Sequence, residues 1–216
     1  MRLFLYNKEK IMKKQLNTAI AALFLATASM TAMAAEDASK GYFGISYGDA
    51  STDTGITGLT GTASLDEDKK GAKLFAGFNV NDNFAIEGHY SDFGEASLSG
   101  NNGDQFVDDG VTYEFLTTAT IKIKVKSYGL AGVYKFDKIN EITPFVKLGL
   151  YKWDAEATVN AGSVSGSAST DGTDPFYGLG LSYPLSDTVN IRTEFERFEV
   201  DGYDSDYVSV GISQNF

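Results

Sequence analysis

From residue 41 onward, large apolar residues alternate with small or polar ones in runs of about ten, which is the period of a β-strand and not the 3.6 of a helix. Eight such runs are predicted as strands: residues 41–49, 71–80, 84–93, 118–136, 143–155, 176–183, 188–200 and 207–216. In the first, Phe43, Ile45 and Tyr47 share one face while Gly44, Ser46 and Gly48 share the other. The fifth sets Val146, Leu148 and Leu150 against Lys147, Gly149 and Tyr151, and the seventh sets Ile191, Thr193 and Phe195 against Arg192, Glu194 and Glu196. One face of every strand is therefore apolar, and the other mixes glycine and serine with charge.

The connections between these runs sort by length. Those after the second, fourth and sixth strands are short and turn-like, at residues 81–83, 137–142 and 184–187. Those after the first, third and fifth run to roughly 20 residues and are rich in Gly, Ser, Thr and Asp. Short turns on one rim and long loops on the other describe an up-and-down transmembrane β-barrel with antiparallel strands. A soluble β-barrel would place the apolar face inward. With eight strands the interior is only wide enough for side chains, so the apolar face must look at lipid and the lumen must be filled. The fold expected is thus all-β, an eight-stranded antiparallel outer-membrane barrel over residues 35–216.

Residues 1–34 have a different character. Lys13 and Lys14 precede a mostly apolar stretch from Ala19 to Ala28, and Ala32, Met33 and Ala34 follow as small-residue cleavage chemistry, the layout of a secretory signal peptide. Cleavage is expected after Ala34, with Met12 as an alternative start. The apolar run is shorter than the ~20 residues of a spanning helix.

Composition then narrows the chemistry. The 216 residues contain no Cys and a single His, His89, which excludes a disulfide framework, a thiolate zinc site and a histidine cluster within one chain. The formal charge of -11, about -15 once the signal segment is removed, argues against a nucleic-acid surface. No Ser/Glu motif accompanies His89, so it is read as an interior side chain, and no enzyme activity, cofactor or metal is expected.

Parity places Lys73, Glu87, His89, Lys147, Arg192, Glu194 and Glu196 on the inward face. Charges buried there must pair, because an isolated one costs several kcal/mol or gives up its charge. The outer connections concentrate acid: residues 49–68, 92–116, 154–174 and 199–206 hold nineteen of the chain's 29 Asp and Glu. Against this acidity, Lys122, Lys124 and Lys126 alternate with Ile121, Ile123 and Val125. A ladder of three ammonium groups suits lipopolysaccharide phosphates if the lysines share the outward parity of Tyr128; a bulge near Ser127 would turn them into the lumen instead.

Four stretches carry a family likeness: GAKLFAGFNVNDNFAIEGHYSDFG at 71–94, YGLAGVY at 128–134, PFVKLGLYKWD at 144–154 and VSVGISQNF at 208–216. Together they resemble the transmembrane domain of the outer membrane protein A family and its small porin-like relatives. The resemblance implies an interior acid and base at Glu87 and Arg192. Two further members of that family's ion network are replaced here by Ala131 and Ser182, which removes the basis for carrying over a gating switch. It also implies that Phe216, with Val208, Val210 and Ile212 at alternate positions before it, is the signal read by the barrel-assembly machinery, with Gln214 a departure. No peptidoglycan-binding domain is expected after Phe216. The function implied is that of a monomeric structural barrel of the bacterial outer membrane, in contact with lipid and lipopolysaccharide and offering its loops to a host or surface ligand. A small porin or solute channel is the alternative.

Overall fold

The computed structural model describes residues 41–200 and 202–216; the expected signal segment lies outside them. They form strands and connections with no helix. In chain order the strands are β1 (Gly41–Thr52), β2 (Ser64–Asp66), β3 (Asp68–Asn79), β4 (Phe84–Gly100), β5 (Gln105–Asp108), β6 (Val111–Glu114), β7 (Ala119–Lys135), β8 (Thr143–Ala161), β9 (Val164–Pro184), β10 (Val189–Val200) and β11 (Tyr203–Asn215). Eight of these make the wall, in the spatial order β4, β3, β1, β11, β10, β9, β8, β7, and a pairing between β4 and β7 closes it into a barrel. Every neighbouring pair is antiparallel. Closure leaves the part of the wall inside the apolar belt without a free edge, as a structure crossing lipid requires.

The alternation of the sequence becomes the inside and outside of this wall. Ile45, Leu74, Ile86, Leu130, Leu148, Leu179 and Val210 stand exposed on the outer surface, with Leu148 at 69% and Leu130 at 65%. Tyrosines mark the upper end of this apolar belt at Tyr47 and Tyr128, and Phe84, Tyr134, Phe136 and Tyr183 mark the end beside the short turns. Aromatic girdles of this kind sit where lipid meets water.

The short turns lie close to where the sequence places them. The opposite rim departs from it, because strands continue where loops are expected. β8 and β9 extend as one hairpin from Ala161 opposite Val164, joined only by Gly162 and Ser163. The expected loop over 156–175 is therefore strand; its Ser, Gly, Ala and Thr residues carry too little apolar contrast to show a period. β11 likewise begins at Tyr203, directly after β10, rather than at Tyr207. β4 runs on to Gly100 through a bulge between Asp92 and Glu95, where Gly94 takes φ +83°. The extra residue reverses the parity beyond it, so that Glu95 joins Asp92 on the outer face and Leu98 and Gly100 turn inward.

Two of the true loops are clipped together. Thr57 and Val107 exchange backbone hydrogen bonds of 2.9 and 2.8 Å, and Thr60 N donates to Gln105 O at 3.0 Å. Asp104 anchors the same contact by accepting from Thr62 Oγ1 at 2.6 Å, Thr62 N at 3.2 Å and Asn101 N at 2.8 Å.

Candidate functional site: the lumen and the extracellular rim

The barrel interior is built in layers. Tyr42, Phe75, Ala85, Val133 and Phe145 form one buried apolar cluster, and Phe93, Ala131, Tyr151, Trp153, Phe176, Phe198 and Tyr207 belong to another. Glycines make room for these rings: a Cβ on Gly77 would collide with the Tyr42 ring, and one on Gly180 with the Phe145 ring. Small inward residues beside large ones are how a narrow barrel reaches close packing.

A charged layer lies against both clusters. Lys73 comes from β3, Glu87 from β4, Lys147 from β8, and Arg192, Glu194 and Glu196 from β10; each is at most 5% exposed. Three cations meet three anions, so the layer is neutral as a set. Lys147 Nζ lies 2.6 Å from both Glu87 Oε1 and Glu194 Oε2 and 3.2 Å from Glu196 Oε1. Lys73 Nζ lies 2.6 Å from Glu194 Oε2 and also contacts Glu196. The Arg192 guanidinium bridges Glu87 Oε2 and Glu194 Oε1, each at 2.9 Å, although the approach to Glu194 Oε1 is off the axis of a hydrogen bond. Its Cζ also lies over the rings of Phe75 and Phe145, at 4.4 and 4.7 Å from their centroids. Dense pairing of this kind is what allows ions to stay charged away from water.

The sequence reading did not assign Tyr42. Its hydroxyl donates to Glu87 Oε2 at 2.8 Å and so shares an acceptor with Arg192. The signal was its parity, even-numbered with Gly44 and Ser46 and opposite to Phe43, Ile45 and Tyr47. His89 sits inward on β4 with its ring edge-on to Phe176 at 4.9 Å and to Phe198 at 6.0 Å. Its Nε2 has no hydrogen-bond partner among the described residues. Ala131 packs in the aromatic cluster and Ser182 faces Arg192 across the β9–β10 ladder, so neither position adds charge to the layer.

At the rim, β7 pairs with β8 without interruption from Ala119 to Lys135. Lys122, Lys124 and Lys126 therefore share the outward parity of Tyr128. The bulge in this region belongs to the partner strand β4, not to β7. Two of the three lysines are already paired, and acids flank the third. Lys122 Nζ lies 2.7 Å from Glu95 Oε1, Lys124 Nζ lies 3.6 Å from Asp92 Oδ2, and Lys126 stands opposite Asp92 and Asp154 in the ladders. Similar pairs join Lys70 to Asp49, and Arg197 to Asp206 through two bonds of 2.6 and 2.7 Å. A belt of mixed charge thus girdles the barrel above the tyrosines.

At the other end of the chain, Val208, Val210 and Ile212 lie on the lipid-facing side of β11. Phe216 is tied to Gly41 by two backbone hydrogen bonds of 2.9 and 3.3 Å, and its ring lies 6.0 Å from that of Phe43. The last residue thereby helps join β11 to β1, the seam between the two ends of the barrel.

Comparison with solved structures identifies barrels of the same architecture. Neisserial surface protein A is 17% identical, with 84% of this chain and 100% of that one covered at a TM-score of 0.53. OprG from Pseudomonas aeruginosa is 13% identical over 83% of this chain and 97% of that one, with a TM-score of 0.51. Ail, the attachment invasion locus protein of Yersinia pestis, is 20% identical over 82% and 99%, with a TM-score of 0.48. For the first two, at these identities, the likeness is one of fold. No curated protein sequence matches. The family described as outer membrane protein beta-barrel domain matches residues 20–216, nearly the whole chain. With the closed eight-stranded wall and its lipid-facing belt, this match means that the chain belongs to the outer membrane protein beta-barrel domain family and resides in the bacterial outer membrane.

Proposed function

We propose that this protein is a structural barrel, monomeric within its membrane and closed to solute flow, whose work is done by the sheet and loops it raises above the outer surface. The observation that carries this reading is the charged layer. Lys73, Glu87, Lys147, Arg192, Glu194 and Glu196 meet across the lumen, and their mutual pairs leave no charged lining for a permeating ion to exchange with. Opening a path would separate several buried ion pairs at once, each costly to break. Aromatic clusters beside the layer add a steric barrier.

The charged belt supports contact with lipopolysaccharide through Lys122, Lys124 and Lys126. Since Glu95 and Asp92 already engage two of these lysines, a phosphate must displace a carboxylate or share its cation. The outward row Val208, Val210 and Ile212 together with Phe216 is the surface we assign to the assembly machinery. The enclosure of His89 by Phe176 and Phe198 supports packing rather than catalysis.

Planar-bilayer recording of the pure refolded protein tests the proposal. The expected result is a membrane no more conductive than a protein-free one. Steady unitary conductance that disappears when a lumen charge is altered would overturn it in favour of a small porin. Loss of attachment without a change in permeability is expected on deleting the gene.

A further inference from the structure

The wall does not end evenly above the rim. β9 has 21 residues, yet β10 pairs with it only from Phe176 to Pro184, because β10 reaches Val200 and turns back into β11. Residues 164–175 are therefore held by β8 on one side and, among the described residues, by no strand on the other. In an antiparallel ladder alternate residues turn their N–H and C=O away from the partner, so this side presents a row of unused donors and acceptors. At ~3.4 Å per residue the open edge is about 40 Å long.

Exposed edges are usually blunted by lysine, proline, a bulge or a covering loop. Pro175 stands at the base of this one. Above it, Val164 to Thr170 reads VSGSAST, without charge or proline, and its pairing with β8 is regular throughout. The side chains are small and every one is exposed. This neutral window lies within a rim that is otherwise strongly acidic.

We infer that residues 164–170 pair antiparallel with the same residues of a second copy of this chain held in a facing membrane. An isologous contact is self-complementary about a two-fold axis. Centred on Ser167, it sets Ser165 against Ser169, Gly166 against Ala168 and Val164 against Thr170, and Asp171 faces Ser163 rather than another acid. The neutral window offers a charged foreign segment no counter-ion, whereas its own sequence brings no like charges together. The two-fold that makes the strands antiparallel also reverses the barrels, which places the two copies in apposed surfaces rather than side by side. Acidic loops around the contact repel at a distance, so moderate salt promotes the pairing. This inference rests on the reading of the extracellular sheet as an attachment surface and names its partner.

The chain has no Cys, so single cysteines report contact directly. Two cell populations displaying differently tagged Ser167→Cys protein are mixed and oxidised, with Thr158→Cys, one strand in from the edge, as the comparison. The expected result is disulfide-linked mixed dimer several-fold above the Thr158→Cys level, and co-sedimentation of wild-type cells that rises with salt. Ser165→Lys, Ser167→Lys and Ser169→Lys combined should abolish that co-sedimentation while the protein keeps its heat-sensitive gel mobility. Equal cross-linking at both cysteines, or unchanged co-sedimentation of the triple variant, overturns the inference. If cells never pair but the triple variant loses attachment to another surface, self-pairing falls while the attachment reading stands.

Discussion

Arg192 ties charge to packing in the lumen, since it touches Glu87, Glu194, Phe75 and Phe145 together. Arg192→Ala leaves two cations against three anions in a buried layer. The expected loss is about 3–5 kcal/mol, the range for breaking one side of a buried pair. Glu87→Gln added to Arg192→Met restores neutrality, with Lys73 and Lys147 facing Glu194 and Glu196, and should recover a substantial part. Urea unfolding followed by the fluorescence of Trp153, the only tryptophan, measures the double-mutant cycle; coupling near zero would mean that the pair does nothing. Asp104 gives a second residue-scale test. Hydrogen bonds from Thr62 and the Asn101 N–H hold its carboxyl below the usual carboxylate range. A lowered value stabilises the docked loop above the free-aspartate pKa of about 3.9, and that support is lost as pH falls through the lower folded value. The loop should therefore stay protected from proteolysis at pH 5 and open in stronger acid. Asp104→Ala should open it at neutral pH, seen as faster hydrogen exchange over residues 53–63.

At the level of elements, β7 crosses from lipid into the charged belt without changing register. Its lysines therefore face away from the lumen. Replacing Lys122, Lys124 and Lys126 with Gln should lower the lipopolysaccharide that co-purifies with the barrel and leave its fold intact, and high salt should mimic the substitution because exposed ion contacts are screened within roughly 8 Å. Equal lipopolysaccharide per protein in both forms at low salt would remove the ladder from the lipid interface. The β8–β9 hairpin shows a different principle. Its lower half is fixed by lipid-facing leucines and inward glycines, whereas its upper half is fixed by the ladders of β8 with β7 and β9 and by the turn at Gly162, which adopts φ +59°.

For the whole molecule, cooperativity follows from closure. The seam joins the first and last strands, Gly41 to Phe216, across nearly the full length of the described chain. Removing Phe216 should slow assembly and reduce the fraction that migrates as folded barrel on unheated gels, with heating abolishing the difference. An unaltered folded fraction would show that the seam needs only the ladder before it. The lumen ions couple β3, β4, β8 and β10, so damage in one wall segment is felt around the barrel.

The sequence by itself determined the wall: a period of two fixes which residues face lipid, and Lys73, Glu87, Lys147, Arg192, Glu194 and Glu196 already shared the inward parity before any distance was known. It also determined the short turns, where Asn, Asp and Pro punctuate strong apolar runs. Tertiary structure alone decided who pairs with whom, because parity assigns a face but not a height, and only the register of β3, β8 and β10 brings Lys73 and Lys147 to the same glutamates. It alone turned the lysine ladder outward, since the bulge that could have reversed it fell on β4. And it alone made residues 156–175 into strand: a run of Ser, Gly, Ala and Thr has no hydrophobic contrast to reveal a period, so its conformation is set by the ladder to which it is joined.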